Sequence, residues 1–207
     1  MINNLNCIHL TFPSLFKRRK EVFSMKIMLD AGHGPDTIGK QTPDGKMKEF
    51  EFNEVVAQYV KNELTTFGLV VMNSHNRERD VPLKERTNLA NKMGVDAFIS
   101  IHANAYGTTW NSVSGIETFT YTKPSEQSII LASLIQTSLC SITGRSNRGV
   151  KKADFAVVRD TRMPAVLVEC GFMTNKNEAK LLHSIEYRKR CAKALVFAIL
   201  CWIQQKR

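Results

Sequence analysis

From Met25 onward the chain alternates between two apolar rhythms. Short continuous apolar runs predict strands at 26–29, 69–72, 95–101, 115–121, 155–158 and 165–168. Between them lie stretches in which apolar residues return every three or four positions, which predicts helices. In 49–67 these are Phe52, Val56, Tyr59, Val60, Leu64 and Phe67, with Gly68 as the stop. A second helix opens at Asp80 and Pro82, presents Leu83, Thr87, Ala90 and Met93, and ends at Gly94. A third covers 125–142 through Ile129, Leu131, Leu134, Ile135 and Leu139. Asn175 and Glu178 make a capping-box-like start to a short helix, and Ser184 caps the last one. This order predicts one α/β domain over 25–207, with a mostly parallel or mixed central sheet of about five or six strands flanked by helices.

The apolar run 194–203 is about half the ~20 residues of a membrane span, so it predicts a buried helix and no transmembrane segment. Residues 1–24 follow neither rhythm. Their charges, Lys17 to Lys20, come after a broken apolar stretch, the reverse of a secretory signal. The segment reads as an extension outside the domain. It is either a disordered basic tail or an upstream reading of the message, because codons for Lys20-Glu21-Val22 can spell a bacterial ribosome-binding sequence just ahead of Met25. This predicts synthesis in the cytoplasm, with export or lysis needed for any action outside the cell.

The composition of the 207 residues, 43 % hydrophobic and 23 % charged, excludes wholesale disorder. Five cysteines (Cys7, Cys140, Cys170, Cys191, Cys201) without a CxxC pair exclude a cysteine zinc finger and argue for buried thiols. The formal charge of +10 falls to +7 without residues 1–24, which hold four basic residues and one acidic residue. Such a chain suits an anionic polymer. No basic stripe interleaved with aromatics points to nucleic acid.

Ligands of open α/β sheets gather at the carboxyl ends of the strands. Three side chains fall there: His33 in Asp30-Ala31-Gly32-His33-Gly34, His102 in Ser100-Ile101-His102-Ala103-Asn104, and Glu169 in Val168-Glu169-Cys170-Gly171. Glu49 opens the first helix. Two histidines and a carboxylate are a set that catalytic zinc uses, leaving a position for water. A further carboxylate can take that water's proton. His33, Glu49 and His102 are therefore candidate ligands of one Zn2+, and Glu169 the candidate base. The ligands are too widely spaced to form a compact motif.

The segments DAGHG, KEFEFN, RERDVPLKERTNLANKMGVDAFISIHAN and AVLVECGFMTN resemble the zinc-dependent N-acetylmuramoyl-L-alanine amidases of bacteria and their phages, over roughly residues 25–200. The resemblance implies hydrolysis of the amide between N-acetylmuramic acid and the L-alanine of the stem peptide, as in autolysins, sporulation lysins and endolysins. It places the metal ligands on His33, Glu49 and His102 and the catalytic carboxylate on Glu169. Glu51 competes with Glu49 for the ligand role, and motif position favours Glu49. The 66 residues between His102 and Glu169 imply an open site, since inhibited relatives carry a longer insertion there. Peptidoglycan is the implied partner, the cell wall the implied place of action, and a monomer the expected form.

Other assignments rest on less. Asp30 either orients a ligand histidine or bonds within its turn. Asn104 either contacts substrate or serves a turn. Arg77 and Arg86 either bind a peptide carboxylate or make ordinary ion pairs. His75 and His183 read as solvent-side residues, and Cys170 as a buried thiol. A zinc peptidase acting within the stem and a non-catalytic wall-binding module are the competing functions.

Overall fold

A computed structural model describes residues 25–206; the expectations for residues 1–24 lie outside them. Six strands form one mixed sheet in the order β2-β1-β3-β6-β4-β5. They are β1 (Lys26–Ala31), β2 (Val70–Asn73), β3 (Ala97–Asn104), β4 (Ile116–Thr120), β5 (Asn147–Lys152) and β6 (Ala165–Phe172). β1 pairs in parallel with β2 and β3, and β3 with β6. β4 runs antiparallel to β6 and parallel to β5. The helices of the described residues are α1 (Glu49–Thr66), α2 (Leu83–Met93), α3 (Glu126–Thr143), α4 (Ala156–Arg159), α5 (Lys176–His183) and α6 (Ile185–Gln205).

Strand alternation assigns every residue to a face. Ile27, Leu29, Ile99, Ile101, Val166 and Val168 join the larger core, under α1, α3 and α6. Phe52, Val56, Val60 and Leu64 of α1, one turn apart, are fully buried against them. The run 194–203 is buried within α6 apart from the half-buried Phe197, and α6 packs on both α1 and α3. Among the described residues no helix is long and apolar enough to cross a membrane. The other face carries a smaller core: Met28, Phe98, Ala165 and Leu167 beneath Ala90 of α2 and Val157 and Val158 of α4. Along that face Met28 is followed by Asp30, Phe98 by Ser100 and His102, and Leu167 by Glu169. The thinner layer thus turns polar at the carboxyl ends of three adjacent strands.

Three local expectations are corrected. Residues 155–158 form no strand; Ala156–Arg159 is a single helical turn, in which Val158 and Arg159 donate their N–H to the Phe155 carbonyl. Its adjacent valines are both buried, and a run this short does not distinguish helix from strand. The sixth strand is instead β5, whose NRGVKK sequence carries little apolar signal because it is a largely exposed edge held by backbone pairing to β4. Asp80 does not cap α2, whose N-cap is Pro82. Its carboxylate accepts from the Asp36 N–H (3.1 Å) and from Thr37 Oγ1 (2.5 Å), tying down the loop after β1. The caps at Asn175 and Ser184 form as expected. Glu178 does not close a capping box; its carboxylate accepts from the N–H groups of Gly115 and Phe172.

Candidate metal centre and its cleft

His33, Glu49 and His102 converge, each offering a ligand atom within 4.8 Å of the other two. Glu49 lies between the imidazoles: Oε2 is 3.1 Å from His33 Nε2 and Oε1 is 2.9 Å from His102 Nδ1. The two rings meet edge to face, 5.2 Å apart. Glu49 is buried at the first position of α1 whereas Glu51 is exposed, so helix rotation brings Glu49 alone to the histidines. Burial works against the Glu49 charge, but the hydrogen bonds from His102 and His33 outweigh it and hold the carboxyl well below the usual range. Two imidazoles and a carboxylate at this spacing fit a divalent metal ion.

The surroundings fix each side chain. His33 is the one non-glycine residue with positive φ (63°) among the described residues, a conformation that costs free energy and is held from outside. Arg86 holds it. The guanidinium is buried and donates to the carbonyls of Val81 (2.8 Å), Ala31 (2.6 Å) and His33 (2.5 Å) and to Asp30 Oδ1 (2.8 Å). It is therefore built into the loop and is not presented to a peptide carboxylate. Burial opposes the Asp30 charge, yet Arg86, Ser100 and Ser74 together hold its carboxyl below the usual range.

Asp30 does reach a histidine, through an intermediary. Ser100 Oγ donates to Asp30 Oδ2 (2.6 Å), which leaves the hydroxyl to accept from His102 Nε2 at 3.1 Å. In that tautomer Nδ1 carries no proton and faces Glu49 as a ligand atom; the hydrogen bond to Glu49 forms when the ring is protonated on both nitrogens. Asn53, one turn beyond Glu49, donates Nδ2 to the Gly32 carbonyl (3.0 Å) and to Glu49 Oε1 (3.3 Å). Neither Ser100 nor Asn53 stood out in the sequence as a site residue. Asn53 sits in the KEFEFN string, and its i+4 spacing from Glu49 was the available signal.

Glu169 pairs in register with His102 across β3 and β6, and the two line one cleft of about 750 Å3 together with His33. Its Oε2 is buried without a hydrogen-bond partner among the described residues. Burial pushes the carboxyl up to about 8; His102 opposes the rise, while Glu49 and Glu117 add to it. A buried oxygen with no partner among the described residues, beside a group that could hold a metal ion, is placed to bond a water or a substrate group.

Asn104 also lines the cleft. Its Oδ1 accepts from the Ala105 N–H (2.8 Å), which leaves Nδ2 as the available donor. Arg77 is exposed, ion-paired with Glu54, and is not part of the cleft wall. His75 corrects the solvent-side reading: it is half-buried, its Nδ1 accepts from the Ala31 N–H (2.9 Å), and burial lowers its pKa. His183 is exposed and Cys170 is a buried thiol, both as expected.

Residues 27–201 match the family model described as N-acetylmuramoyl-L-alanine amidase. The relative LytC of Bacillus subtilis, named an N-acetylmuramoyl-L-alanine amidase, is 34 % identical over 178 residues; these are 86 % of this chain but 35 % of LytC, so the chain spans about a third of that relative. YqiI of the same organism, an uncharacterized protein, is 34 % identical over 197 residues, 95 % of this chain and 93 % of its own length. The crystal structure of an N-acetylmuramoyl-L-alanine amidase from Clostridium difficile 630 superposes with a TM-score of 0.85 at 30 % identity, covering 89 % of this chain and all of that one.

Proposed function

The chain belongs to the N-acetylmuramoyl-L-alanine amidase family, and on that premise we propose that it hydrolyses the amide joining N-acetylmuramic acid to L-alanine in peptidoglycan, with His33, Glu49 and His102 holding one zinc ion and Glu169 acting as the base. The observation that carries this reading is the partnerless Glu169 Oε2 in the same cleft as the His–Glu–His group.

Bound zinc supplies a polarised carbonyl and a water of lowered pKa. The chain's residues do the rest. Glu169 Oε2 accepts the proton of the attacking water and delivers it to the departing L-alanine nitrogen. Burial favours the protonated form of this carboxyl, so that once it has taken the water's proton it holds it for the departing nitrogen. Ser100 keeps the His102 proton on Nε2, Asn53 orients Glu49, and Arg86 holds the His33 backbone. Asn104 Nδ2 offers a hydrogen bond to a substrate oxygen. Every one of these groups comes from one chain, which supports a monomer as the working unit and residues 25–207 as the catalytic domain. The positive charge supports action at the anionic cell wall.

Digestion of purified peptidoglycan by the zinc-loaded protein, followed by mass spectrometry, tests the reading. Stem peptides with a free L-alanine amine and uncut glycan strands are expected. Cuts within the stem would establish a peptidase instead, and binding without turnover a wall-binding module.

A further inference from the structure

The charged side chains of the cleft, outside the His33–Glu49–His102 group, fall into two sets. Asp30 and Arg86 pair with each other, Asp80 accepts from Asp36 and Thr37, and Arg159 pairs with Asp154 and Asp160. Each of these is ion-paired or hydrogen-bonded within the described residues. Glu169 and Lys40 are left. Glu169 has its task in the reaction. Lys40 is exposed, and among the described residues no carboxylate makes an ion pair with it.

The Lys40 backbone is nevertheless well held. Its carbonyl accepts from the Glu49 N–H at 2.8 Å, and the next residue, Gln41, bridges to Lys48. Lys40 therefore lines the cleft from a fixed point beside the start of α1, one backbone hydrogen bond from Glu49. The other exposed lining includes Leu83 and Phe155, which offer no charge. A lysine on the cleft wall that is engaged in no ion pair among the described residues is available to an anionic group of whatever the cleft binds.

The substrate provides such an anion. Beyond L-alanine, peptidoglycan stems continue with a γ-linked D-glutamate whose α-carboxyl is ionised in some walls and amidated in others. We propose that Lys40 is a specificity-determining residue that binds this α-carboxylate, so that the protein prefers stems carrying the free acid to stems carrying the amide. The proposal rests on the amidase reading.

The test compares two synthetic substrates, N-acetylmuramoyl-L-alanyl-D-isoglutamate and its D-isoglutamine counterpart, with the zinc-loaded full chain. Wild type is expected to favour the acid by about tenfold in kcat/KM, chiefly through KM, as for one charge-assisted hydrogen bond in an open cleft. In Lys40→Met that ratio falls toward one, while Lys40→Arg keeps most of it. Equal losses on both substrates in Lys40→Met would mean that Lys40 acts through Glu169 or the fold, and would overturn the proposal. So would a wild type without preference. Turnover of neither substrate by wild type would overturn the amidase reading and this proposal with it; a preference untouched by Lys40→Met would overturn the proposal alone.

Discussion

Gly32 lies directly against the imidazole of His102: a Cβ at Gly32 would stand 2.0 Å from His102 Cε1 and 2.2 Å from Nε2. No side chain tolerates that approach, so the glycine in the DAGHG string is there for the ring beside it. Gly32→Ala is expected to fold, because the ring can swing into the cleft, yet to lose metal affinity and at least about a hundredfold in turnover through the misplaced ligand. Far-UV circular dichroism with metal titration and turnover checks this. An alanine variant with wild-type metal binding would contradict it.

The buried Asp30–Arg86 pair holds the loop that carries His33. Arg86→Met leaves a buried carboxylate and three carbonyls without their donor, and is expected to cost about 3–5 kcal/mol at pH 7. The sign of the pH dependence follows from the depressed Asp30 carboxyl. Its stabilising contribution is fully present above the unfolded pKa of about 4 and is lost as pH falls through the lower folded value. The gap between wild type and Arg86→Met in urea unfolding therefore narrows below pH 4. A gap independent of pH would remove Asp30 from the explanation.

Ser100 and Asn53 touch the candidate ligands without being ligands themselves. Ser100→Ala and Asn53→Ala are each expected to weaken zinc binding about 10–100-fold while leaving an activity that excess zinc restores. Competition with a chromogenic chelator measures the affinities. Unchanged affinity in both variants would show that these hydrogen bonds do not orient His102 and Glu49.

Burial raises the Glu169 carboxyl from 4.5 to about 8, which makes its charge a cost to the metal-free fold. Below about pH 4.5 the carboxyl is neutral in both folded and unfolded chains and the cost is absent; it builds as pH rises from there toward 8. Metal-free Glu169→Gln is therefore expected to match wild type near pH 4 and to exceed its stability at pH 8 by about 1–3 kcal/mol. Thermal unfolding in chelator at the two pH values reads this. A glutamine variant less stable than wild type at pH 8 would show that the carboxylate is well satisfied.

Strand-end position made His33, His102 and Glu169 legible in the sequence, because a polar residue after a Val/Ile run on one face of a parallel sheet has few other uses. Glu49 was legible from motif order, and burial on α1 separates it from Glu51. The residues that hold these four were less so. Ser100, Asn53 and His75 act through hydrogen bonds whose partners are identified only once strands and loops are in place. Arg86 reads in the sequence as a surface cation or a carboxylate binder, and only the packing of α2 against the loop after β1 shows where its guanidinium goes. The region from 147 to 159 was the least legible part of the fold. There an edge strand depends on backbone pairing and a one-turn helix on two adjacent valines, and neither leaves a periodic pattern.

The most direct test measures metal content and peptidoglycan turnover on the same preparations of wild type, His33→Ala and Glu169→Gln. The account predicts about one zinc per chain and stem-peptide release for wild type, as for a three-ligand site. For Glu169→Gln it predicts the same zinc content with turnover lower by about 10²–10⁴-fold. His33→Ala should lose both. Full turnover by Glu169→Gln, or undiminished zinc in His33→Ala, would contradict the separation of base from metal ligands on which the account depends.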